Sequence, residues 1–230
     1  MKVVTLNIRH GGGNRAAALI RWVLAVNGDV LVLTEWKSSG PGREISKALV
    51  LQGFCVNSFA NGGENGILVA SRSPISSTDA APEGHSRGSL RLVTVEGSPI
   101  RILAAYFPQS YAKAAFFASS RRLAKQQAGA PLLLIGDLNT GDNSIDRTIS
   151  GVPFHCAEDF QALSDAGLRD LWREQHGQDA REFSWSSPKN SFRIDHAFGS
   201  AALRAADCRY NHEPRERRIT DHSALIVCID

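Results

Sequence analysis

Five short apolar segments of this chain run directly into carboxylates, amides or histidine. In chain order these polar residues are Asn7, Glu35, the pair Asp137 and Asn139, the pair Asp195 and His196, and the pair Asp221 and His222. Charges and amides beside buried strands are costly unless they are paired or hold a metal ion. One such segment is typical of a cap or a turn. Five of them, drawn from both ends of the chain, predict one shared site.

The distribution of apolar residues predicts more strands than helices. Strands are predicted from residue 2 or 3 onward and at 30–33, 54–59, 66–71, 90–96, 100–107, 132–135, 192–199, 206–210 and 223–229, with helices at 16–24, 43–51, 111–128 and 157–166. Several strands follow one another directly, which excludes a plain doubly wound parallel sheet and favours a layered α/β sandwich of mixed or antiparallel sheets. No repeat or long linker divides the chain, so we expect a single domain over residues 1–230.

Charge and cysteine content narrow the class of protein. The chain has 26 Lys and Arg against 23 Asp and Glu, a net charge of +3, so a polyanionic partner has to be met by a local patch. No apolar run approaches the roughly 18 residues that span a bilayer, and the N-terminal residues do not resemble a secretory signal. The four cysteines are scattered without zinc spacing and are expected to be reduced thiols. We therefore expect a cytoplasmic monomer that does not contact a membrane.

Five motifs carry a resemblance to a known family. They are LNI at 6–8, LTEWK at 33–37, GDLN at 136–139, FRIDH at 192–196 and TDHSAL at 220–225. In this order they resemble the signatures of the endonuclease/exonuclease/phosphatase superfamily, and the resemblance extends from residue 3 to residue 229. It implies a DNase I-like fold, which is a four-layer α/β sandwich of two packed mixed β-sheets flanked by helices. It also implies metal-dependent hydrolysis of phosphate esters.

The resemblance implies a magnesium site. Glu35 is its main metal ligand, with Asn7 and Asp221 nearby. A hard Mg²⁺ ion prefers oxygen ligands, usually one or two carboxylates with water and substrate phosphate. We expect that Mn²⁺ can replace it. A surface carboxylate at the end of a strand is the alternative interpretation of Glu35.

The resemblance also implies catalytic roles. Asp137 activates or orients a water molecule, and Asn139 holds that water or the phosphate. His222, oriented by Asp195, donates to a non-bridging phosphate oxygen, and Tyr106 contacts the phosphate. A simple Asx-turn at GDLN and a buried tyrosine with a local partner are the structural alternatives.

A closer resemblance, to exonuclease III and abasic-site endonucleases, implies the substrate. Phe192 and Ile194 match the residues that wall an apolar pocket for a base-less sugar, and Trp185 matches another aromatic near it. Gln109 and Lys37 are further substrate-binding candidates, because Lys37 is two residues beyond Glu35 and would face the same side of the strand. Core aromatics and a solvated lysine are the alternatives.

Other polar residues are assigned to no role. His196 is expected to be structural, while His10, His85, His155, His176 and His212 lie in no motif and are expected on surfaces or in loops. Arg9 stands where many relatives have a small or acidic residue, so the number of metal ions stays open.

The predicted function is a magnesium-dependent nuclease acting on DNA, of the exonuclease III or abasic-site endonuclease type and with a role in DNA repair. The short loops between motifs favour single strands, ends or smaller phosphodiesters as substrates. A phosphatase or phospholipid phosphodiesterase of the same superfamily is one alternative. A catalytically silent nucleic-acid-binding module is the other.

Overall fold

The structure is a computed structural model that describes residues 1–60, 63–86 and 88–230. The strands are β1 (Lys2–Asn7), β2 (Val30–Trp36), β3 (Cys55–Phe59), β4 (Gly66–Ser71), β5 (Ile75–Asp79), β6 (Leu90–Val95), β7 (Arg101–Tyr106), β8 (Leu132–Asp137), β9 (Leu168–Asp170), β10 (Trp185–Ser186), β11 (Ser191–Phe192), β12 (Asp195–Ser200), β13 (Ala205–Asn211) and β14 (Ala224–Ile229). The α-helices are α1 (Ala16–Ala25), α2 (Gly40–Leu51), α3 (Lys113–Gln126), α4 (Ala157–Gln161), α5 (Leu171–His176) and α6 (Glu213–Glu216).

Two six-stranded sheets and one short ribbon form the framework. Sheet I has the strand order β13-β14-β1-β2-β4-β3, and sheet II has the order β5-β6-β7-β8-β12-β9. Both sheets are mixed, because β1 pairs with β2 in parallel and β7 pairs with β8 in parallel while the other pairs are antiparallel. Strands β10 and β11 form the ribbon.

The inner faces of the two sheets meet in an apolar layer. Val32 and Val69 of sheet I belong to the same buried cluster as Ile102 and Ile135 of sheet II. These strands are apolar on both faces because helices cover their outer sides, as expected for strands buried in a layered α/β protein.

Helices cover the outer face of each sheet. Leu19 of α1 and Ile45 of α2 pack against sheet I, and Phe117 of α3 and Phe160 of α4 pack against sheet II. The order of layers is helix, sheet, sheet, helix, which confirms the predicted four-layer sandwich. In the described part of the chain, no helix is both long and apolar enough to cross a membrane.

Several predicted elements differ from the pattern-based expectation: the helix predicted at 157–166 ends at Gln161, and two other differences have a visible cause in a hydrogen bond. Helix α2 begins at Gly40 rather than at residue 43, because Ser39 Oγ accepts a hydrogen bond from the Gly42 N–H at 3.3 Å and caps the helix. The strand predicted at 192–199 is interrupted between β11 and β12, where the Ile194 N–H donates to Ser184 Oγ at 3.0 Å instead of to a neighbouring strand.

Short elements with little apolar content were missed. Strand β5 has the sequence ISSTD and lies at the edge of sheet II, so it shows no apolar alternation. Strand β9 and helix α5 are three and six residues long and follow each other directly. Asp170 joins them, since its carboxylate accepts from the N–H groups of Trp172 and Arg173 at 3.1 Å and caps α5.

Candidate active site

Strand ends from both sheets meet at one end of the sandwich. Because β1 and β2 are parallel, their carboxyl ends place Asn7 and Glu35 at the same edge of sheet I. Strand β14 is antiparallel to β1 and therefore begins at that edge, shortly after Asp221. In sheet II, Asp137 at the end of β8 lies opposite Asp195 at the start of β12. The five motifs, far apart in sequence, thus converge.

Asn7 links the two sheets at this end. Its buried side-chain amide donates to Glu35 Oε1 at 3.0 Å and to Asp137 Oδ2 at 2.9 Å. Its side-chain oxygen accepts from the Arg9 N–H at 2.9 Å. Because these three bonds fix the amide, Asn7 sets the spacing between the carboxylates of Glu35 and Asp137.

Glu35 lies at an irregular point of β2. The pairing of β2 with β4 shifts between Thr34 and Trp36, and Glu35 has a φ of +57°. Such a conformation costs about 1–3 kcal/mol in a non-glycine residue and clusters at functional sites. Glu35 lines the cavity at this end, and its Oε2 accepts from the His10 N–H at 2.9 Å. Lys37 does not line the cavity, because the bulge breaks the alternation of side chains that would turn it to the same side as Glu35, and its contact with a substrate stays a prediction.

Asp195 and His222 form a buried ion pair. His222 Nδ1 lies 2.8 Å from Asp195 Oδ2. Burial alone would lower the pKa of His222, but the carboxylate of Asp195 outweighs it and raises this pKa to about 9. His222 is therefore a cation at neutral pH. With Nδ1 bonded to Asp195, Nε2 is the nitrogen that can donate to a ligand in the cavity that His222 lines.

Asp137 is buried beside this pair. Its Oδ1 accepts from the Asn139 N–H at 2.9 Å. Burial, followed by the charge of Asp195, raises the pKa of Asp137 to about 7, although His222 opposes this rise. One ligand atom from each of Asp137, Asp195 and His222 lies within 4.8 Å of the others. A carboxylate with a pKa near neutrality is suited to take a proton from water.

Asn139 and Lys113 brace the turn that follows β8. Asn139 has a φ of +50°, and its side-chain amide donates to the Phe107 carbonyl at 2.8 Å. The backbone carbonyl of Asn139 accepts a hydrogen bond from Nζ of Lys113, a buried lysine. Burial lowers the pKa of Lys113 to about 8. The sequence analysis missed Lys113 because it lies in no motif and opens an ordinary amphipathic helix.

Tyr106 ends β7 beside Asp137 in the strand register. Its hydroxyl oxygen accepts from Asn65 Nδ2 at 3.2 Å. Burial, and then the charge of Glu35, raise the pKa of Tyr106 above its ordinary value, so the hydroxyl stays protonated. Tyr106 thus lies at the site, and its contact with a phosphate stays a prediction.

The turn after β1 brings Arg9 and His10 to the carboxylates. Residues 9–13 all have positive φ angles, which the glycines at 11–13 adopt without steric cost and which Arg9 and His10 adopt as non-glycine residues. His10 Nδ1 lies 3.1 Å from Glu35 Oε2, and Arg9 Nε lies 3.7 Å from Asp221 Oδ2. His10 was expected on a surface or in a loop, and it is exposed, but its contact with Glu35 had no signal in the sequence.

The residues predicted to line an apolar pocket, Trp185, Phe192 and Ile194, face the same cavity as the acidic residues and form its apolar wall. The rings of Trp185 and Phe192 stack with centroids 5.6 Å apart, and Trp185 Nε1 donates to Asp221 Oδ2 at 3.2 Å. Both rings, Ile194 and Gln109 line the cavity, which has a volume of about 480 Å³. A nonpolar wall therefore stands beside the carboxylates.

A buried ionic network holds this wall in place. Arg193 lies between two wall residues but its side chain points into the protein, where it donates to Asp146 Oδ1 at 2.7 Å and to Asp170 Oδ2 at 2.5 Å. Arg173 also pairs with Asp146. Buried charges require such partners, so the network fixes which way the residues on either side of Arg193 face. Its acidic members lie outside the motifs, and the sequence analysis did not find them.

His196 is buried and structural. Its Nε2 lies 2.8 Å from the Thr140 carbonyl oxygen. Burial and the positive charge of Arg193 lower the pKa of His196 to about 4, so its ring is neutral. It has the structural role that was predicted.

A second cavity of similar volume lies elsewhere. It has a volume of about 520 Å³ and lies where the two chain termini meet, lined among others by Met1, Arg72 and Asp230. None of the motif residues lines it. Size alone therefore does not identify the site, and the chemistry of the side chains does.

Two groups of acidic residues would suit different ligands. Glu35 and Asp221 line the cavity and offer only carboxylate oxygens, which a hard divalent cation prefers. The second group, Asp137, Asp195 and His222, contains an imidazole that is already bonded to one of the carboxylates. The chemistry of the first group fits Mg²⁺ or Mn²⁺. The ligand atoms of the second group also lie close enough together to hold a metal ion, but its imidazole is already bonded to Asp195.

Comparison with protein families gives one match. The model of the Endonuclease/Exonuclease/phosphatase family matches residues 4–222 of the chain. This match confirms the resemblance carried by the five motifs and, with it, the prediction of an enzyme that hydrolyses phosphate esters. None of the curated proteins compared with the chain matches it.

Solved structures with the same fold include nucleases. An AP endonuclease from Archaeoglobus fulgidus has a TM-score of 0.86 at 19% identity, covering 100% of this chain and 99% of that chain. The 3'-5' exonuclease NExo from Neisseria meningitidis has a TM-score of 0.81 at 24% identity, covering 100% of both chains. A 3' phosphatase NExo from Neisseria, bound to a product DNA hairpin, has a TM-score of 0.82 at 23% identity, covering 100% of this chain and 99% of that chain. At these identities the likeness confirms the DNase I-like fold.

Proposed function

The chain belongs to the Endonuclease/Exonuclease/phosphatase family, and from this we propose that it is a magnesium-dependent nuclease that cleaves phosphodiester bonds in DNA. The observation that carries the proposal is the placement of two separate groups at one cavity. Glu35 and Asp221 supply oxygen ligands, and the buried group of Asp137, Asp195 and His222 supplies proton transfer. We take residues 1–230 as one domain.

Glu35 and Asp221, with Asn7 bonded to Glu35, are the residues that would hold the metal ion. When bound, Mg²⁺ neutralises phosphate charge and stabilises the leaving oxygen. The amide of Asn7 keeps the Glu35 carboxylate in place through the bond at 3.0 Å.

Asp137 acts as the general base for the attacking water. Its pKa, raised to about 7 by burial and by Asp195, lets the carboxylate accept a proton near neutral pH. Asn139 directs one Asp137 oxygen through its N–H, and the oxygen Oδ2 accepts from Asn7, so the side chain is fixed before substrate binds. A fixed base in contact range of the water lowers the entropic part of the barrier.

His222 donates a hydrogen bond to a non-bridging phosphate oxygen. Because Asp195 keeps the imidazole protonated, Nε2–H can stabilise the charge that builds on phosphorus-bound oxygens. The protonated hydroxyl of Tyr106 is a second donor on the sheet II side of the site.

The apolar wall supports DNA with a base-less sugar as one substrate. Trp185, Phe192 and Ile194 line the cavity beside the carboxylates, where a sugar without its base exposes nonpolar surface. Solved structures with this fold include an AP endonuclease and a protein bound to a DNA hairpin, which supports DNA as the partner. A role in DNA repair follows from this substrate.

The proposal also keeps two expectations about the protein in the cell. A cytoplasmic location is supported by the four cysteines, which are all unpaired. The monomeric state is an expectation that size-exclusion chromatography with light scattering tests directly.

One panel of substrates tests the proposed function. End-labelled duplex with one abasic site, undamaged duplex, single-stranded DNA, RNA and p-nitrophenyl phosphate are each incubated with Mg²⁺ and with EDTA. We expect DNA cleavage with Mg²⁺, none with EDTA, and none with Asp137→Asn. The variant Asp165→Asn, which changes an exposed carboxylate away from the site, is the matched control.

Four results would overturn the proposal or a part of it. Hydrolysis of the small phosphate ester alone would indicate a phosphatase, and DNA binding without cleavage in Mg²⁺ would indicate a silent binding module. Undiminished cleavage by Asp137→Asn would remove Asp137 from the role of base. Hydrolysis of phospholipid vesicles without DNA cleavage would indicate a lipid phosphodiesterase.

A further inference from the structure

An exposed aromatic pair lies at the edge of the site cavity. The rings of Tyr111 and His155 have centroids 4.1 Å apart and an interplanar angle of 39°. His155 lines the cavity, whereas Tyr111 is 70% exposed. Neither residue has a part in the chemistry derived above. An exposed ring held against another ring is an unusual use of a large nonpolar side chain, because burial would stabilise the fold more.

Exposed apolar side chains are concentrated beside this pair. In the parts of the chain that the structure describes, the large exposed apolar residues are Val50, Leu51, Tyr111, Ile149 and Val152. The last three lie on the two segments that carry the ring pair. Ile149 is 95% exposed and Val152 is 69% exposed. Val152 lines the cavity, so a part of the exposed apolar surface of the protein lies beside the site.

One hydrogen bond from the turn that follows β8, and one between the two segments, hold the backbone of the aromatic pair in position. Thr140, which directly follows Asn139, donates from Oγ1 to the His155 carbonyl at 2.9 Å. The thiol of Cys156 lies 3.7 Å from the Tyr111 carbonyl, which ties the two segments together. The pair is thus anchored to the same turn that carries the proposed base, and it is exposed without being loosely attached.

Aromatic rings extend from the cavity wall towards this pair. The ring of Phe192 contacts that of Phe154 edge to face with centroids 5.4 Å apart, and Phe154 is adjacent to His155 in sequence. Phe154 is held by its N–H, which donates to Asn143 Oδ1 at 2.7 Å. A polynucleotide bound at the carboxylates would therefore meet aromatic surface on leaving the cavity.

We propose that Tyr111 and His155 form a stacking subsite for an unpaired nucleobase next to the scissile phosphate. This inference rests on the proposed function and specifies its substrate as DNA with an unpaired base at the cleavage site, such as a single strand or a frayed end. Every nucleobase has a flat nonpolar face, and stacking on an aromatic side chain binds it without reading its sequence. A base in an intact duplex is covered on both faces by its neighbours and cannot occupy the subsite.

Binding measured in EDTA tests the subsite separately from hydrolysis. The probes are a fluorescein-labelled DNA single strand and a strand of the same length in which every residue is the base-less tetrahydrofuran analogue. We expect Tyr111→Ala to bind the base-bearing strand about tenfold more weakly, equal to about 1.4 kcal/mol and within the range for one stacked base. It should bind the base-less strand as the unchanged protein does. Tyr111→Phe, which keeps the ring, should bind both strands normally.

Leu51→Ala is the matched control, because Leu51 is 73% exposed on α2 and lies outside the cavity. A strand carrying 2-aminopurine gives a second readout, since stacking quenches its fluorescence, and Tyr111→Ala should abolish that quenching. Circular dichroism establishes that each variant is folded.

Equal loss of affinity for both strands would overturn the subsite, since Tyr111 would then contact only the backbone. No loss for either strand would overturn it as well. A protein that binds as expected but does not cleave DNA refutes the proposed function alone. One that cleaves DNA but gives equal affinities in this test refutes only the subsite.

Discussion

Replacing Asp137 with Asn should stabilise the metal-free protein as pH rises. The pKa of Asp137 increases from its ordinary value of 3.8 to about 7 in the folded protein, because the carboxylate is buried beside Asp195. A carboxyl group whose pKa is raised on folding has its full stabilising effect below pH 3.8. That effect is lost progressively as pH rises from 3.8 to about 7. The ionised side chain therefore destabilises the fold above neutral pH, and Asn, which does not titrate, removes that cost.

The size of the effect follows from the same shift. The difference of about three pH units, at about 1.36 kcal/mol each, gives a cost of about 4 kcal/mol above neutral pH. The side-chain NH₂ group introduced at position 137 would face either the backbone N–H of Asn139 or the side-chain NH₂ of Asn7. Two donors that face each other cost about 1–3 kcal/mol at every pH. The change of the stability difference with pH therefore reports the ionisation of Asp137 alone. Between about pH 5 and about pH 8 the stability of the variant relative to wild type should increase by about 3 kcal/mol.

Urea unfolding in EDTA, followed by circular dichroism at several pH values, measures this difference. Asp165→Asn, at an exposed carboxylate, should show a nearly constant difference from wild type over the same range. The reasoning would be refuted if the Asp137→Asn difference stayed constant within about 0.5 kcal/mol. The same variant should have no nuclease activity. Asp137 would then be a residue that lowers the stability of the fold and is required for activity.

Three further substitutions test other parts of the site. Glu35→Gln should raise the Mg²⁺ concentration for half-maximal cleavage at least about tenfold, and an unchanged metal titration would exclude Glu35 as a ligand. Lys113→Met should lower turnover because the Asn139 carbonyl loses its donor. Its melting temperature near pH 7 should not fall, because burial disfavours the charged form of Lys113 and lowers its pKa to about 8, so removing the charge removes that cost. Unchanged turnover would contradict the positioning role of Lys113. Gly136→Ala should cost several kcal/mol or prevent folding, because the new Cβ would lie 1.9 Å from a backbone oxygen of β7, whereas Gly129→Ala, with open space around it, should cost about 1–2 kcal/mol. Urea unfolding of the two glycine variants checks this, and equal costs would contradict it.

The sequence predicted the convergence of the site because its signal is local. A buried strand that ends in a carboxylate or an amide can be recognised from a few adjacent residues, and Asn7, Glu35 and Asp137 were found in this way. The parallel pairing of β1 with β2 then places the strand ends together without further information. Long apolar strands were predicted for the same reason, whereas the polar edge strand β5 was not.

The rest of the site depends on contacts that have no local signal. His10 reaches Glu35 only because residues 9–13 form a left-handed turn, and Lys113 reaches Asn139 from a helix in another layer. Lys37 lies outside the cavity lining because the alternation rule assumes a regular strand and the bulge at Glu35 interrupts it. These are properties of tertiary packing, which strand periodicity does not contain.

The central claim is that the metal ion and the proton-transfer group occupy different residues of one cavity. Anomalous diffraction from crystals soaked in Mn²⁺ locates the ion directly. We predict a peak bonded to the Glu35 carboxylate, with Asp195 still bonded to His222. A peak among Asp137, Asp195 and His222, with no density at Glu35, would contradict the account.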